Sequence, residues 1–169
     1  MKGITKNDMS KKYFLNFFFI IIIFCIDRIS KLLVIKLAEP YGEMNLNVNS
    51  FLNLNLVWNE GIAFGMFSFD QKFYYHILTI FIFLIILVIT WFMFKSKGFE
   101  KLSFILIIGG SLGNIFDRIY YSAVPDFIDI YYNNFHWFIF NVADIFITIG
   151  IFCLISIEIF NNKKLKNED

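Results

Sequence analysis

The chain has 169 residues, of which 58% are hydrophobic, 21% aromatic and 17% charged, and its formal net charge is +1. Soluble globular domains carry about 25% charged residues, and disordered chains combine low hydrophobicity with high net charge. A chain with 24 phenylalanines fits neither class, and near-neutrality gives no basic face for nucleic acid. The composition therefore predicts an integral membrane protein.

Four segments are apolar over a length that can cross a membrane, which takes about 20 helical residues. They are residues 13–37, 73–94, 102–120 and 138–160. We predict an α-helical membrane protein with four transmembrane helices in a single membrane domain over residues 1–169. The first segment lacks the small-residue cleavage site of a secretory signal peptide, so we expect it to be retained.

Lysine placement predicts the orientation of these segments. Ten of the fifteen basic residues lie in the N-terminal arm, the loop at 95–101 and the C-terminal tail. Short loops rich in Lys and Arg stay on the cytoplasmic side. Both termini are therefore predicted to be cytoplasmic, and the segments 39–70 and 121–137 to face outward.

The first outward segment, about 39–70, alternates between apolar and polar residues. From Met44 to Trp58 most even positions are Leu, Val or another apolar residue, and most odd positions are Asn. A period of two is typical of a half-buried strand, and a helix cannot place those leucines on one face. We predict a small extracytoplasmic β-sheet between the first two helices, and we describe 121–137 as an outer loop.

The third helix carries small and polar residues on one face. Gly110, Asn114 and the Asp117–Arg118 pair recur at helical spacing. Ionisable residues inside a bilayer cost ~2.5–3.5 kcal/mol each at a helix centre and are functional candidates by default. The alternative is a packing groove with an Asp117–Arg118 ion pair that neutralises itself.

Two acidic residues are candidates for catalysis. Asp144 shares a stripe of the fourth helix with Asn141, and Asp126 lies in the preceding apolar loop segment VPDFID. Two carboxylates that meet in a low-dielectric site can share a proton and activate water, as in aspartic proteases. The residues alone do not establish that they meet, and a structural or ion-pathway role is the alternative. Asp27 and Lys31, four residues apart, are expected to brace the site.

Other chemistry has little support in the sequence. There is no Cys-x-x-Cys motif, and His76 and His136 lie apart without ligand spacing. We therefore expect no metal and no cofactor.

Five motifs together resemble the bacterial signal peptidase II family, also called lipoprotein signal peptidase, in that family's order. They are DRISK at 27–31, WNEGIAFG at 58–65, GGSLGNIFDR at 109–118, VPDFID at 124–129 and FNVADIFI at 140–147. The resemblance implies an aspartyl endopeptidase of the bacterial inner membrane, with its active site toward the extracytoplasmic face. Its substrates would be prolipoproteins bearing a diacylglyceryl-cysteine, cut immediately before that cysteine. It implies contact with membrane lipid, and neither nucleic acid nor an obligate protein partner.

By the same resemblance, the catalytic pair falls on Asp126 and Asp144. The supporting residues fall on Asp27, Lys31, Asn59, Gly110, Asn114, Arg118 and Asn141. The chain departs from the family at Pro125, where a branched aliphatic residue is usual, and the proline ring restricts the backbone that leads to Asp126.

Two other functions are compatible with intramembrane carboxylates. One is a small proton- or ion-coupled transporter, which would favour acids near the midplane and two related halves. The other is a non-catalytic assembly factor held by the glycine groove of the third helix, which leaves Asp126 without a role.

Overall fold

The structure is a computed structural model, and it describes residues 6–40, 44–61, 72–133 and 135–166. In chain order its elements are α1 (Lys6–Ala38), β1 (Asn45–Asn49), β2 (Leu52–Asn59), α2 (Lys72–Lys95), α3 (Gly98–Tyr121), β3 (Val124–Tyr132), β4 (Phe135–His136) and α4 (Val142–Lys166). The predicted outer segment is described up to residue 61, and the end of the WNEGIAFG motif lies outside the described residues.

Three of the helices in the described ranges are long and apolar enough to cross a membrane. The qualifying stretches are Tyr75–Lys95, Gly98–Tyr121 and Val142–Asn161. They overlap three of the four predicted spans, so the helical membrane class is confirmed. The predicted start of the last span at 138 was wrong, because α4 begins at Val142. The span at 13–37 lies within α1, which is not among these stretches, and it stays a prediction.

α3 is the central helix of the bundle, since it packs against α1, α2 and α4. Glycine makes the approach to α4 possible: a Cβ atom on Gly110 would lie 2.5 Å from the carbonyl oxygen of Ala143. Isoleucine and methionine side chains form an apolar core where α1, α2 and α3 meet. This core contains Ile20, Ile23, Ile86, Met93, Ile105, Ile108 and Ile115.

The strands form one antiparallel sheet in the order β1-β2-β3-β4. A small antiparallel sheet is therefore confirmed, but its predicted place, between the first two helices alone, was incomplete. The segment described as an outer loop supplies β3 and β4. Residues 124–127 of β3 are all buried, so this central strand lacks the alternation by which a half-buried strand is recognised.

The sheet is fixed to one end of α1 by a second apolar cluster, in which Val34, Ala38, Met44 and Phe127 are buried. In the β2–β3 ladder, Val57 pairs with Asp126 and Asn59 with Val124. The sheet therefore holds Asp126 next to the ends of the helices.

Replacing Gly150 with Ala should loosen the α3–α4 contact. The new Cβ atom would lie 2.6 Å from a side-chain carbon of Ile107 and 2.7 Å from the carbonyl oxygen of Ser103. Because backbone must move, we expect a loss of about 1–3 kcal/mol, the usual range for overpacking, and a lower Tm in detergent. Ser156→Ala, on an exposed part of α4, should leave the Tm unchanged. An unchanged or higher Tm for Gly150→Ala would contradict this close packing.

Candidate active site

A buried lysine lies at the centre of the polar cluster. Lys31 of α1 is 0% exposed. Its Nζ donates to Asp27 Oδ2 at 2.8 Å, to Asn114 Oδ1 at 2.8 Å and to Asp117 Oδ2 at 2.7 Å. An ammonium group has three N–H donors, so each of them has a partner. The predicted contact between Asp27 and Lys31 is present, four residues apart on one helix.

Asp117 does not pair with its neighbour in sequence. Its second oxygen lies 2.5 Å from Nη2 of Arg28, so it faces two cations of α1. Adjacent residues point in different directions on a helix, and the alternative of a self-neutralising Asp117–Arg118 pair is therefore wrong. Our site prediction missed Arg28, and it placed Asp117 on the polar face of the third helix without this partner. The sequence held a signal for this contact. This part of α1 has two cations, Arg28 and Lys31, but one carboxylate, Asp27, so a carboxylate from another helix is needed to neutralise them.

Arg118 instead holds the end of β2 against α3. Its Nη2 donates to the carbonyl oxygen of Gly61 at 2.9 Å, and its Nη1 to that of Asn114 at 3.2 Å. The backbone N–H of Gly61 in turn donates to Asn59 Oδ1 at 2.9 Å. This turn leaves the Nδ2 group of Asn59 to face Asp126.

Asp27 connects α1 to the start of α4. Its Oδ1 accepts a hydrogen bond of 2.9 Å from the backbone N–H of Ala143. The first N–H groups of a helix have no partner within the helix, and this carboxylate satisfies one of them. Gly113 of α3 leaves room for it, since a Cβ atom there would overlap Asp27 Oδ2.

Asn114 transmits the lysine contact to Asp144. Because an ammonium group only donates hydrogen bonds, the amide oxygen of Asn114 must face Lys31. Its Nδ2 group is then free to donate to Asp144 Oδ1, at 2.8 Å. The orientation of this amide is therefore set by the buried charge.

Asp144 also caps its own helix. Its Oδ2 accepts from the backbone N–H of Asn141 at 3.1 Å, and its backbone N–H donates to Asn141 Oδ1 at 3.2 Å. This reciprocal pair, three residues apart, is a capping box at the start of α4. It fixes the Asp144 side chain at the positive end of the helix dipole.

Asp126 accepts a hydrogen bond from an asparagine at each oxygen. Asn59 Nδ2 donates to its Oδ2 at 2.9 Å, and Asn141 Nδ2 donates to its Oδ1 at 2.6 Å. Burial, followed by the nearby charge of Asp144, raises the pKa of Asp126 to about 6. The two asparagine hydrogen bonds and the charge of Lys31 partly oppose that rise in pKa.

The two candidate carboxylates line the same cavity. This cavity has a volume of about 210 Å³, and Asn59, Asn114, Arg118 and Asn141 also line it. A larger cavity of about 740 Å³ adjoins Asp126 and has aromatic walls that include Trp58, Phe135, Trp137 and Phe138. The structure thus brings Asp126 and Asp144 together, with water-sized space beside them and an apolar recess next to it.

The remaining predicted residues lie around these two carboxylates. Gly110 backs onto the start of α4 without contributing a polar group, while Asp27 and Lys31 act from behind Asn114. Within the described ranges, no three His, Cys, Asp or Glu side chains are placed to hold a metal ion. The cavity lined by Asp126 and Asp144 can instead bind a water molecule next to the two carboxylates.

A family model, sequence relatives and a solved structure all match this chain over most of its length. The family model for signal peptidase (SPase) II matches residues 19–160. A lipoprotein signal peptidase of Pelagibacter ubique is 51% identical over 94% of this chain and 95% of its own length. One of Francisella tularensis is 41% identical over 76% and 83%. A solved bacterial membrane enzyme superimposes with a TM-score of 0.71 at 27% identity, covering 92% of this chain and 93% of that one. The chain belongs to the signal peptidase II family.

Proposed function

We propose that this chain is an aspartyl endopeptidase that removes the signal peptide from diacylglyceryl-modified prolipoproteins, immediately before the lipidated cysteine. The observation that carries the proposal is the pair Asp126 and Asp144 on the wall of one cavity. Family membership and lipoprotein-processing relatives support the substrate class. They favour a peptidase over the transporter and over the assembly factor.

The surroundings of the two carboxylates support different roles. Asp144 accepts hydrogen bonds from Asn114 and from the start of α4, which stabilise a negative charge. Asp126 is farther from Lys31 along this chain of contacts, and its raised pKa of about 6 lets it hold a proton at higher pH than an ordinary carboxyl group does. Asp144 is then the general base and Asp126 the general acid.

The proposed reaction needs only water and the two carboxyl groups. Asp144 removes a proton from a water molecule, whose oxygen bonds to the carbon of the scissile carbonyl. Asp126 donates its proton to the carbonyl oxygen, and a tetrahedral diol forms. When the diol collapses, the proton on Asp144 passes to the leaving nitrogen, the C–N bond breaks, and a proton from the diol returns to Asp126.

Substrate binding uses the surroundings of the dyad. Asn59 and Asn141 hold Asp126 in place and border the scissile backbone, while Arg118 fixes the turn that carries Asn59. The aromatic recess around Trp58, Phe135 and Trp137 suits apolar parts of the substrate, because such walls bury acyl or aliphatic chains. Lys31 orients Asn114 toward Asp144, and Asp27 holds the start of α4, so both position the dyad without touching substrate.

The proposed location is a bacterial inner membrane. If α1 also crosses the membrane, the chain has four spans and both termini lie on the same side. The lysine distribution places that side in the cytoplasm. The sheet and the two aspartates then lie toward the extracytoplasmic side, where the substrate's lipidated cysteine is found. We place this activity in one membrane domain over 1–169 and propose that it needs no obligate partner protein.

Replacing either aspartate should remove activity and keep the fold. We expect Asp126→Asn and Asp144→Asn to cut the prolipoprotein at least about a hundredfold more slowly, the scale of general acid–base catalysis. The matched control is Asp129→Asn, in the same strand and paired with His136 instead, which should cleave at nearly the wild-type rate. The measurement is a gel-shift assay with lipidated and unlipidated substrate. A folded Asp144→Asn protein with normal cleavage would contradict the assignment.

The stability contribution of Asp126 should fall as pH rises. Its pKa is about 6 in the folded protein and about 3.9 in an unfolded chain. The contribution is fully present below pH ~4 and is lost as pH rises through about 6. Relative to Asp126→Asn, the wild-type protein should lose about 3 kcal/mol over this interval, seen as a decreasing Tm difference. A Tm difference that stays constant or increases from pH 4 to 7 would contradict a buried, protonated Asp126.

A further inference from the structure

A further cavity lies between α1 and α2, away from the aspartates. Its volume is about 620 Å³, within the range of ligand sites, and Ile20 and Met93 lie among its buried lining residues. Tyr13 and Phe94 meet edge to face at its rim, with 5.7 Å between ring centroids. Both helices pack against α3, which leaves this groove between them.

One polar group in this cavity has no partner. Asn16 lines it and is 7% exposed, and its Nδ2 group is buried without a hydrogen-bond acceptor among the described residues. The neighbouring Thr90 differs, since its hydroxyl donates to the carbonyl oxygen of Ile86 at 2.7 Å. Buried donors in proteins are nearly always satisfied. An apolar ligand with a hydrogen-bond acceptor would satisfy this one.

The position of Asn16 indicates the part of the membrane that supplies the ligand. Asn16 precedes Asp27 by eleven residues, or about 16 Å along a helix, so the cavity lies toward the other end of α1. Tyr13 lies one turn from Asn16, and the ring centroid of Trp91 lies 3.6 Å from Lys95 Nζ. Tyrosine and tryptophan are residue types of the membrane interface. The donor therefore lies about one turn deeper than an interfacial tyrosine.

We propose that this cavity, the Asn16 cavity, binds a glycerophospholipid, with an ester carbonyl oxygen accepting from Asn16 Nδ2 and an acyl chain along Ile20 and Met93. The charges next to the cavity in sequence fit an anionic headgroup. Lys95 ends α2 directly after the lining residue Phe94, Lys97 follows two residues later, and both are exposed. Basic residues at this level attract anionic lipid. A purely apolar occupant would leave the amide donor unpaired.

The test is lipid binding by the purified full-length chain in detergent, followed by native mass spectrometry. The probes are dioleoyl phosphatidylglycerol and its diether counterpart, which has the same chains and headgroup without ester carbonyls. The variants are Asn16→Leu and, as a matched control within the same cavity, Thr90→Val. A neutral hydrogen bond corresponds to a few-fold to about tenfold change in affinity.

We expect the wild-type chain and Thr90→Val to bind the diester lipid about fivefold more tightly than Asn16→Leu does. The diether lipid should bind wild type as weakly as the diester binds Asn16→Leu. Equal binding of the two lipids by wild type would overturn the proposal, and this comparison needs no variant to fold. Equal diester binding by wild type and Asn16→Leu, or a lipid-free dimer as the main species, would also overturn it.

Discussion

The buried ammonium group of Lys31 is the constraint on which the rest of the site depends. A charge taken out of water costs several kcal/mol unless it is paired and hydrogen-bonded. Here two carboxylates and an amide oxygen meet its three donors. Arg28 contacts the second oxygen of Asp117, so two cations face two anions. The cluster is neutral only when α1 and α3 are in register.

This cluster determines the orientation of the catalytic groups step by step. Lys31 turns the oxygen of Asn114 toward itself, which directs the amide donor to Asp144. Asn141 and Asn59 repeat the arrangement, since each amide oxygen accepts from a backbone N–H and each Nδ2 donates to Asp126. In each of these three asparagines, the amide oxygen is held by a charged or backbone donor. The Nδ2 group is thereby oriented to donate to one of the two carboxylates. Such preorganisation lets a site act without reorganising during the reaction.

Local spacing predicted much of the site but not its assembly. The Asp27–Lys31 contact follows from helical spacing, because residues four apart share a helix face. The Asn141–Asp144 pair was predicted as a stripe on the fourth helix, but α4 begins at Val142 and the pair is a capping box. The meeting of Asp126 with Asp144 depends on the pairing of β3 with β2, and neither spacing nor hydropathy encodes a contact between distant strands. Family resemblance supplied that pair instead.

The fold was predicted in the same uneven way. Alternating residues predicted β1 and β2, because successive side chains of a strand point to opposite faces, although β1 is exposed along its whole length. The buried strand β3 shows no such alternation, so 121–137 was described only as a loop. The unpartnered amide of Asn16 is likewise invisible in sequence, because a single Asn in an apolar helix does not reveal whether a neighbouring helix offers it an acceptor.

The most direct test of this account is a double-mutant cycle on the cleavage rate, with Lys31→Met, Asn114→Ala and the double variant, each rate taken per folded protein. If Lys31 acts on Asp144 through Asn114, the effects are coupled. The double variant should then cleave no more slowly than the slower single variant. Losses that multiply in the double variant would contradict the account, because they would mean that Lys31 and Asn114 act on the reaction independently.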